Sequence, residues 1–380
     1  MTYGKNNPFL ATLIESRLLT PSPSTKETRH FEIDLTGSGL TYTCGDSLAI
    51  HPENDPITVQ AIIKRLGAQG SELVQLPRQV DPLLFEQALL QHCSLASPNV
   101  KSLNAFLAAT QDAKEQSKLE QLLLPENKAA CQQFLIEREY IDLLKAFPKV
   151  QFTPQAFVDL LRRLTPRLYS IASSPVCHPE AVHLTVAVVR YTTNNCQRMG
   201  VASTFLADRL PLNQPAARIF ITPSHFGLPE DSDTDIIMVG PGTGIAPFRA
   251  FVQERSEQQA KGRSWLFFGE RNKTTDFLYK EEWEGYLKSG ALHQLDLAWS
   301  RDQKKRCYVQ DRLLAEAARV WDWLENGAVF YVCGDAKNMA KDVDRTLHRI
   351  VCEQGKRSAE DAESYVKQMK KDKRYQRDVY

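Results

Sequence analysis

The chain has no C-x-x-C pair and no grouping of cysteine and histidine at metal-ligand spacing. Its eight cysteines (Cys44, Cys93, Cys131, Cys177, Cys196, Cys307, Cys333 and Cys352) are scattered over 380 residues. That scatter excludes a disulfide scaffold and a structural zinc site, and no metal is expected. Net charge is nearly absent as well, at +1, so nothing in the bulk composition draws the chain to nucleic acid or to an acidic membrane surface. No apolar run approaches the roughly 18 residues that a membrane span needs. The opening stretch "MTYGKNNPFLATLIESRLLT" lacks a basic segment followed by a long apolar core, so no signal peptide is expected. Internal repeats and low-complexity segments are missing too. These absences predict a protein of the reducing cytoplasm that binds neither nucleic acid nor membrane.

What is present is ordinary in bulk and distinctive in texture. Hydrophobic residues make up 42% and charged residues 24%, as in common globular proteins, and the length accommodates two or three domains. From about Pro8 to His51, segments such as "HFEIDLTGSGLTYTCGDSLAI" alternate as strands broken by glycine turns. From about Pro56 to Phe147 the apolar residues recur at helical spacing, as in "ITVQAIIKRLGAQG" and "CQQFLIEREYIDLLKAF". Strand texture returns between about Leu164 and Phe226. Beyond it, "DIIMVG", "SWLFFGE", "HQLDLAWS" and "AVFYVCGD" alternate with helical stretches, the pattern of a parallel sheet covered by helices on both faces. The expected fold class is α/β plus all-β: an antiparallel β-barrel with a helical insertion, then a doubly wound parallel-sheet domain. The expected division is 1–55 and 151–228 for the barrel, 56–150 for the insertion and 229–380 for the parallel sheet.

Four short stretches carry chemistry. In "DIIMVGPGTGIAPFRAFVQER" a strand runs into Gly240, Gly242 and Gly244 before a helix starts near Pro247. Glycines let a phosphate approach the backbone, and a helix start offers free N–H groups; a tight structural turn reads the same way, and the spacing departs from G-x-G-x-x-G. "LAWSRDQKKRCYVQ" sets Ser300, Arg301 and Arg306 just past a strand, suited to a 2′-phosphate rather than a bare ribose diol, or simply a solvated basic loop. "FYVCGDAKNMAKDV" ends a strand at Cys333, which is either a small core residue or an active-site group. "TPRLYSIASS" places Arg167 and Tyr169 on one face of a strand and Ser170 on the other, fit for a diphosphate and a flat heterocycle or for an ordinary half-buried strand. The small-residue turn in "GVASTFLADRL" is a second candidate anion cradle.

Taken together, "LTPRLYSIASS", "GVASTFLADRL", "MVGPGTGIAPFRAF", "DFLYKEEW", "DLAWSRDQ", "YVQDRL", "YVCGDAKNMAKDV" and the final "RYQRDVY" resemble, in order, the FAD/NADPH half of the diflavin reductases. The resemblance is strongest to the flavoprotein subunit of assimilatory sulfite reductase. It covers about residues 8 to 380. It implies an FAD-binding barrel followed by an NADPH-binding domain. Arg167, Leu168, Tyr169 and Ser170 would hold FAD, Thr185, Val186, Ala187 and Tyr191 would line its ring and adenine side, and Gly200, Val201, Ala202 and Ser203 would cap its pyrophosphate. Thr243 would sit by the NADPH pyrophosphate. Ser300, Arg301, Arg306, Cys307, Tyr308, Val309, Gln310 and Asp342 would form the site for its 2′-phosphate and adenosine. Arg306 and Cys307 depart from the lysine and small apolar residue usual in the family, without loss of positive charge. Ser170, Cys333 and Asp378 would orient the reacting rings, with Tyr380 as an aromatic cover over the flavin.

The same resemblance implies an enzyme: hydride passes from NADPH to FAD and electrons pass on to an FMN or flavodoxin-type carrier, for sulfite reduction. The flavodoxin-like FMN module of the family is not recognisable in these residues, so FMN is not expected on them: either they are a piece of a longer protein, or the electrons pass to a separate FMN protein or flavodoxin, with a sulfite reductase haem subunit as the alternative partner. A different acceptor, ferredoxin or a haem protein, stays open, as does a non-catalytic nucleotide-binding subunit. The basic run "VKQMKKDKRYQRD" is either a solvated helix face or a dock for an acidic flavodoxin.

Overall fold

The computed structural model describes residues 3–77 and 79–380. The chain forms two compact units. One comprises Met1–Ile50, Leu168–Val188 and Leu210–Tyr380, the other His51–Arg167 and Val189–Arg209.

The first unit contains both major sheets. Five parallel strands, β7 (Ile236–Val239), β8 (Ser264–Glu270), β9 (Gln294–Trp299), β10 (Val329–Gly334) and β11 (Tyr375–Val379), lie in the order β9-β8-β7-β10-β11. Residues of β7 and β10 are buried along their whole length, as expected of strands with helices on both faces. Alternate residues enter two different cores. Ile237, Val239, Phe330 and Val332 pack with the helices Ala317–Glu325 and Met339–Gln354. Ile236, Met238, Tyr331 and Cys333 pack with Phe248 and Phe251 of the helix Ala246–Glu257. The chain moves outward from β7 to β9 and then returns to β10 on the other side of β7. Such a reversal opens a crevice at the carboxyl ends of the strands, where ligands of this architecture bind.

The antiparallel sheet is built from β1 (Phe9–Leu18), β2 (Thr28–Asp34), β3 (Ser47–His51), β4 (Arg167–Ser170), β5 (Ala181–Ala187) and β6 (Pro215–Thr222), in the order β4-β3-β6-β1-β2-β5. The expected barrel is therefore a six-stranded sheet without a closed ladder among the described residues. Its edges meet at one isolated bridge, Ile171↔Leu184, beside a bond from Ala172 N–H to the His183 carbonyl (2.8 Å). The ladder stops there because the chain leaves the strand in the turns of "ASSPVCHPE" before β5 begins.

In the second unit, the helical spacing read between about Pro56 and Phe147 becomes helices Pro56–Leu66, Val100–Ala109, Ala113–Leu123, Lys128–Ile136 and Tyr140–Ala146, and a helix outside that reading, Pro154–Leu160, follows in the stretch expected to be barrel. Asp55, Asn99, Asp112 and Thr153 cap four of them by accepting backbone N–H bonds. Their apolar faces close over a core of its own that includes Phe85, Leu103, Phe106, Tyr140 and Phe157.

Candidate active site

β10 and β11 run in parallel with Cys333 opposite Asp378. The Asp378 carboxylate is bonded from two sides. Ser170 Oγ donates to its Oδ2 at 2.5 Å, and Cys333 Sγ lies 3.6 Å from the same oxygen. Cys333 is completely buried. Burial first, and the neighbouring carboxylate second, push its thiol well above the usual range, so it keeps its proton and donates it to Asp378. Two residues on, Tyr380 bonds through its hydroxyl to Thr243 Oγ1 (3.0 Å) and through its N–H to the Gly334 carbonyl (3.1 Å). As a whole residue it is 62% exposed. The glycine turn is pressed onto the same place: a Cβ at Gly244 would stand 2.2 Å from the Cys333 carbonyl oxygen, so no larger residue fits. Ser170, Cys333, Asp378, Tyr380 and Thr243 are thus brought together from four separate stretches of chain. Beside Ser170, Leu168 is exposed and Tyr169 half-buried.

A cavity of about 540 Å³ opens at the carboxyl ends of the parallel strands. Its wall includes Gly242, Ser300, Tyr308, Gln310 and Asp342, with Cys307 and Val309 alongside. Ser300 N–H bonds to the Glu270 carbonyl (2.9 Å), tying the end of β9 to that of β8. Tyr308 begins the helix Val309–Ala315, its N–H bonded to Asp311 Oδ2 (2.8 Å). Asp342 accepts from Gln310 Nε2 (3.4 Å) and pairs with Arg345. Arg301 and Arg306 sit on the exposed loop between Ser300 and Cys307 and are not part of the wall. Sequence reasoning missed Lys26, Glu270, Arg271, Asp335 and Asn338, which are. Asp335 was legible in principle: its carboxylate accepts N–H bonds from Lys337, Asn338 and Met339, the last chief among those that hold its pKa below the usual range. Lys26 had no local signal, because its neighbours lie more than 200 positions away in the sequence.

The second unit has a cavity of about 250 Å³ of its own, lined by Arg167, Tyr191, Gly200, Val201, Thr204 and Arg209. A Cβ on Gly200 would come within 2.7 Å of Val189 Cβ, so glycine is what allows the turn. Ser203 Oγ accepts the Val189 N–H (3.0 Å) and Ala202 is buried, so both shape the turn instead of facing the cavity. Arg167 donates to the Thr165 carbonyl (2.7 Å). Arg209, in the quoted motif but not singled out, is anchored to Thr204 Oγ1 and the carbonyls of Glu53 and Val201, while its buried Nε has no partner. A glycine cradle, two guanidiniums and an unpartnered donor fit an anionic dinucleotide. The Gly242–Gly244 turn and the strand-end cavity fit a second. Of the other expected positions, Thr185 bonds to Tyr279 (2.7 Å), Val186 is buried, Ala187 is exposed and Tyr191 is 51% exposed.

A polar cluster in the first unit left no trace in sequence spacing. Glu32 faces His183 across the β2–β5 register, and His30 Nε2 lies 3.0 Å from Glu32 Oε1. Arg249 donates to His183 Nδ1 (3.3 Å). The neutral ring's proton is therefore on Nε2, which points an N–H toward Glu32 (3.6 Å) where a cation would need a lone pair. Burial lowers His30 to about 3 and His183 to about 2, so both rings are uncharged. The cluster is a polar core network. The basic run near the end of the chain is half engaged internally: Lys370 and Arg377 approach Asp344, and Arg374 donates to the carbonyls of Leu324 and Ala328. Lys367, Lys371 and Lys373 are exposed.

Comparison with known proteins agrees with this geometry. The family model described as FAD binding domain matches residues 2–205, and that described as oxidoreductase NAD-binding domain matches residues 238–345. The chain is 47% identical over 379 residues to the sulfite reductase (NADPH) flavoprotein alpha-component of Photobacterium profundum, covering all of this chain and 61% of that protein. It is 46% identical over 378 residues to the same component from Vibrio cholerae, of which it covers 60%, and 43% over 382 residues to that of Bacillus subtilis, of which it covers 62%. The chain thus spans about three fifths of these relatives' length. Among the described residues, no helix is long and apolar enough to cross a membrane.

Proposed function

The chain belongs to the FAD-binding-domain family of oxidoreductases, and on that premise we propose that it takes reducing equivalents from NADPH onto FAD and passes them to an FMN or flavodoxin-type carrier. When bound, the two cofactors supply hydride exchange between nicotinamide and flavin rings. The chain's own residues supply position and protection. Arg167, Tyr191 and the turn Gly200–Ser203 hold the phosphate end of FAD, with Arg209 added to them. Tyr169 and Ser170 hold its ring. Asp378 fixes the Ser170 hydroxyl and keeps the Cys333 thiol protonated, so that both donors stand in one orientation. Tyr380, tethered to Thr243 at its hydroxyl, keeps water off the ring and can be displaced. The cavity wall from Ser300 to Gln310, with Asp342, takes the adenosine and 2′-phosphate, and Arg301 and Arg306 supply charge at its mouth. The domain division follows: 1–55 with 151–228 for FAD, 229–380 for NADPH and 56–150 as a helical insertion.

The observation that carries this reading is the convergence of Ser170, Cys333 and Asp378 on one carboxylate oxygen beside the glycine turn. Similarity to the flavoprotein alpha-components supports sulfite reduction as the destination of the electrons. The test is anaerobic titration of the yellow purified protein. NADPH bleaches the flavin band and NADH does so at least tenfold less efficiently. A protein that cannot be reconstituted with FAD, or that responds equally to both nucleotides, overturns the proposal.

A further inference from the structure

The helix behind the glycine turn carries a buried charge that the proposed chemistry leaves unused. Arg249 lies in the first turns of the helix Ala246–Glu257, just past Gly244, and is 5% exposed. Its guanidinium is bonded on both sides. Nη1 donates to the Ala172 carbonyl (2.7 Å) and to His183 Nδ1 (3.3 Å), while Nε (2.6 Å) and Nη2 (3.1 Å) grip the two oxygens of Glu282. The guanidinium carbon stands 4.8 Å from the centre of the Tyr279 ring, whose hydroxyl is bonded to Thr185 Oγ1 (2.7 Å) and His30 Nδ1 (2.9 Å). Tyr279 has φ of +57°, a left-handed backbone that an aromatic residue keeps only where its surroundings enforce it.

Ala172 follows closely on Ser170, and the chain between them is held at successive residues. Ile171 N–H bonds to the Asp46 carbonyl (3.0 Å) and Ala172 N–H to the His183 carbonyl (2.8 Å). Ser174 N–H then bonds to Gln253 Oε1 (2.9 Å), and Ser174 Oγ donates to Glu254. Arg249, Gln253 and Glu254 share one side of their helix, so the stretch after Ser170 is fastened along that helix. The start of the helix is equally fixed, since Gly244 is pressed against the Cys333 carbonyl. The Arg249 guanidinium therefore closes a short path from the Ser170 strand to the glycine turn.

We propose that Arg249 is a positioning residue for hydride transfer, joining the strand that presents Ser170 to the helix that carries the glycine turn and so setting the separation of the two cofactor cradles. This rests on reading Ser170 as the flavin-ring site and the Gly242–Gly244 turn as the nicotinamide dinucleotide site. The physical reason is the steep dependence of the reaction on geometry, where a misplacement of about 1 Å costs about 10²-fold in rate. The two cradles come from two sheets, each stiff in itself, and the joint between them fixes their spacing. Arginine suits that joint because its planar fork serves a carbonyl on one side and a carboxylate on the other in one geometry, which a lysine ammonium cannot do. Arg255 supplies an internal comparison. It is 4% exposed on the same helix, but its partners, Ser264 Oγ and the carbonyls of Thr234 and Gly262, all lie beside β7 and β8.

The experiment combines hydrogen–deuterium exchange, NADP⁺ calorimetry and anaerobic stopped flow on the FAD-loaded protein and its variants. Arg249→Met is expected to speed amide exchange at residues 170–174 about fivefold or more and to slow flavin reduction by NADPH about 10- to 100-fold. NADP⁺ affinity stays within about threefold, so kcat falls while KM holds. Arg249→Lys, which can still reach one of the two acceptors, recovers part of the rate. Arg255→Met loses thermal stability as Arg249→Met does, since each strips a buried guanidinium from its partners, yet it keeps flavin reduction within about threefold of wild type. Should Arg249→Met not fold, Glu282→Gln loosens the same joint with the guanidinium in place, and about three- to tenfold slower reduction is expected. Unchanged exchange at 170–174, a loss of NADP⁺ affinity in place of rate, or equal slowing by Arg255→Met overturns the inference while the proposed reaction stands. A wild-type protein whose flavin NADPH does not reduce overturns both.

Discussion

Ser170 Oγ and Asp378 Oδ2 lie 2.5 Å apart although 208 positions separate them in the chain, and Cys333 shares the same oxygen. One residue ends a strand of the antiparallel sheet and the other lies in the edge strand of the parallel sheet. The carboxylate joins two sheets at the point where the glycine turn also arrives.

Removing that acceptor has two measurable consequences. Asp378→Ala leaves a buried thiol and a hydroxyl without a partner, which costs roughly 1–3 kcal/mol in urea unfolding. It also loosens both donors, and flavin reduction by NADPH slows by about 10²-fold in anaerobic stopped flow. A rate within twofold of wild type would show that the bond is structural only.

Thiol chemistry separates Cys333 from Cys307. Cys333 is buried and its thiol is held protonated, so it resists alkylation until the protein unfolds. Cys307 is partly accessible on the cavity wall. Saturating NADP⁺ is expected to slow its alkylation at least fivefold, read by peptide mass spectrometry, with Cys196 and Cys352 unaffected. Cys307 modified at the same rate with and without the nucleotide contradicts its place in the site.

Tyr380 is an exposed residue whose side chain bonds to Thr243. A stacked ring contributes about 0.5–1.5 kcal/mol beyond its burial. Tyr380→Ala therefore tightens NADP⁺ binding by roughly 2- to 12-fold by this measure, since a competing ring is gone. Weaker binding in the variant would assign the ring to holding the nucleotide instead.

The histidine pair gives a pH dependence of defined sign. In the unfolded chain both rings bind protons below about 6.5, whereas burial delays protonation in the folded state to about 3 for His30 and about 2 for His183. Between about pH 3 and 6.5 the unfolded state holds more protons, so stability falls as the solution is acidified through that window and is flat above it. Each histidine contributes up to about 1.4 kcal/mol per pH unit. Glu32, raised by burial, acts in the opposite direction, so the informative quantity is a difference. His183→Gln should lose less thermal stability than wild type between pH 7.5 and pH 5. Parallel losses would mean that the ring is already charged in the native protein.

Much of the fold was legible because it follows from short-range pattern. The apolar runs "IIMV" and "VFYVCG" lack alternation, and that is the mark of strands covered on both faces. The spacing in "ITVQAIIKRL" and the cap at Asp55 mark a helix without help from the rest of the chain. The expected barrel was less exact, since whether a sheet's edges close depends on the turns that end its strands, and here they meet at a single bridge.

By itself, the sequence determined the strand–helix alternation, the glycine turn and the identities of Ser170, Cys333, Asp378 and Tyr380, because each belongs to a motif a few residues long. Only the tertiary structure decided that Glu270 is buried against the Gly242 turn, that Lys26 pairs with it, that Arg209 keeps an unpartnered donor in its own cavity, and that two histidines lose their charge. Those properties arise from burial and from contacts between distant segments. Desolvation and charge pairing are set by what surrounds a group in space, which no local spacing records.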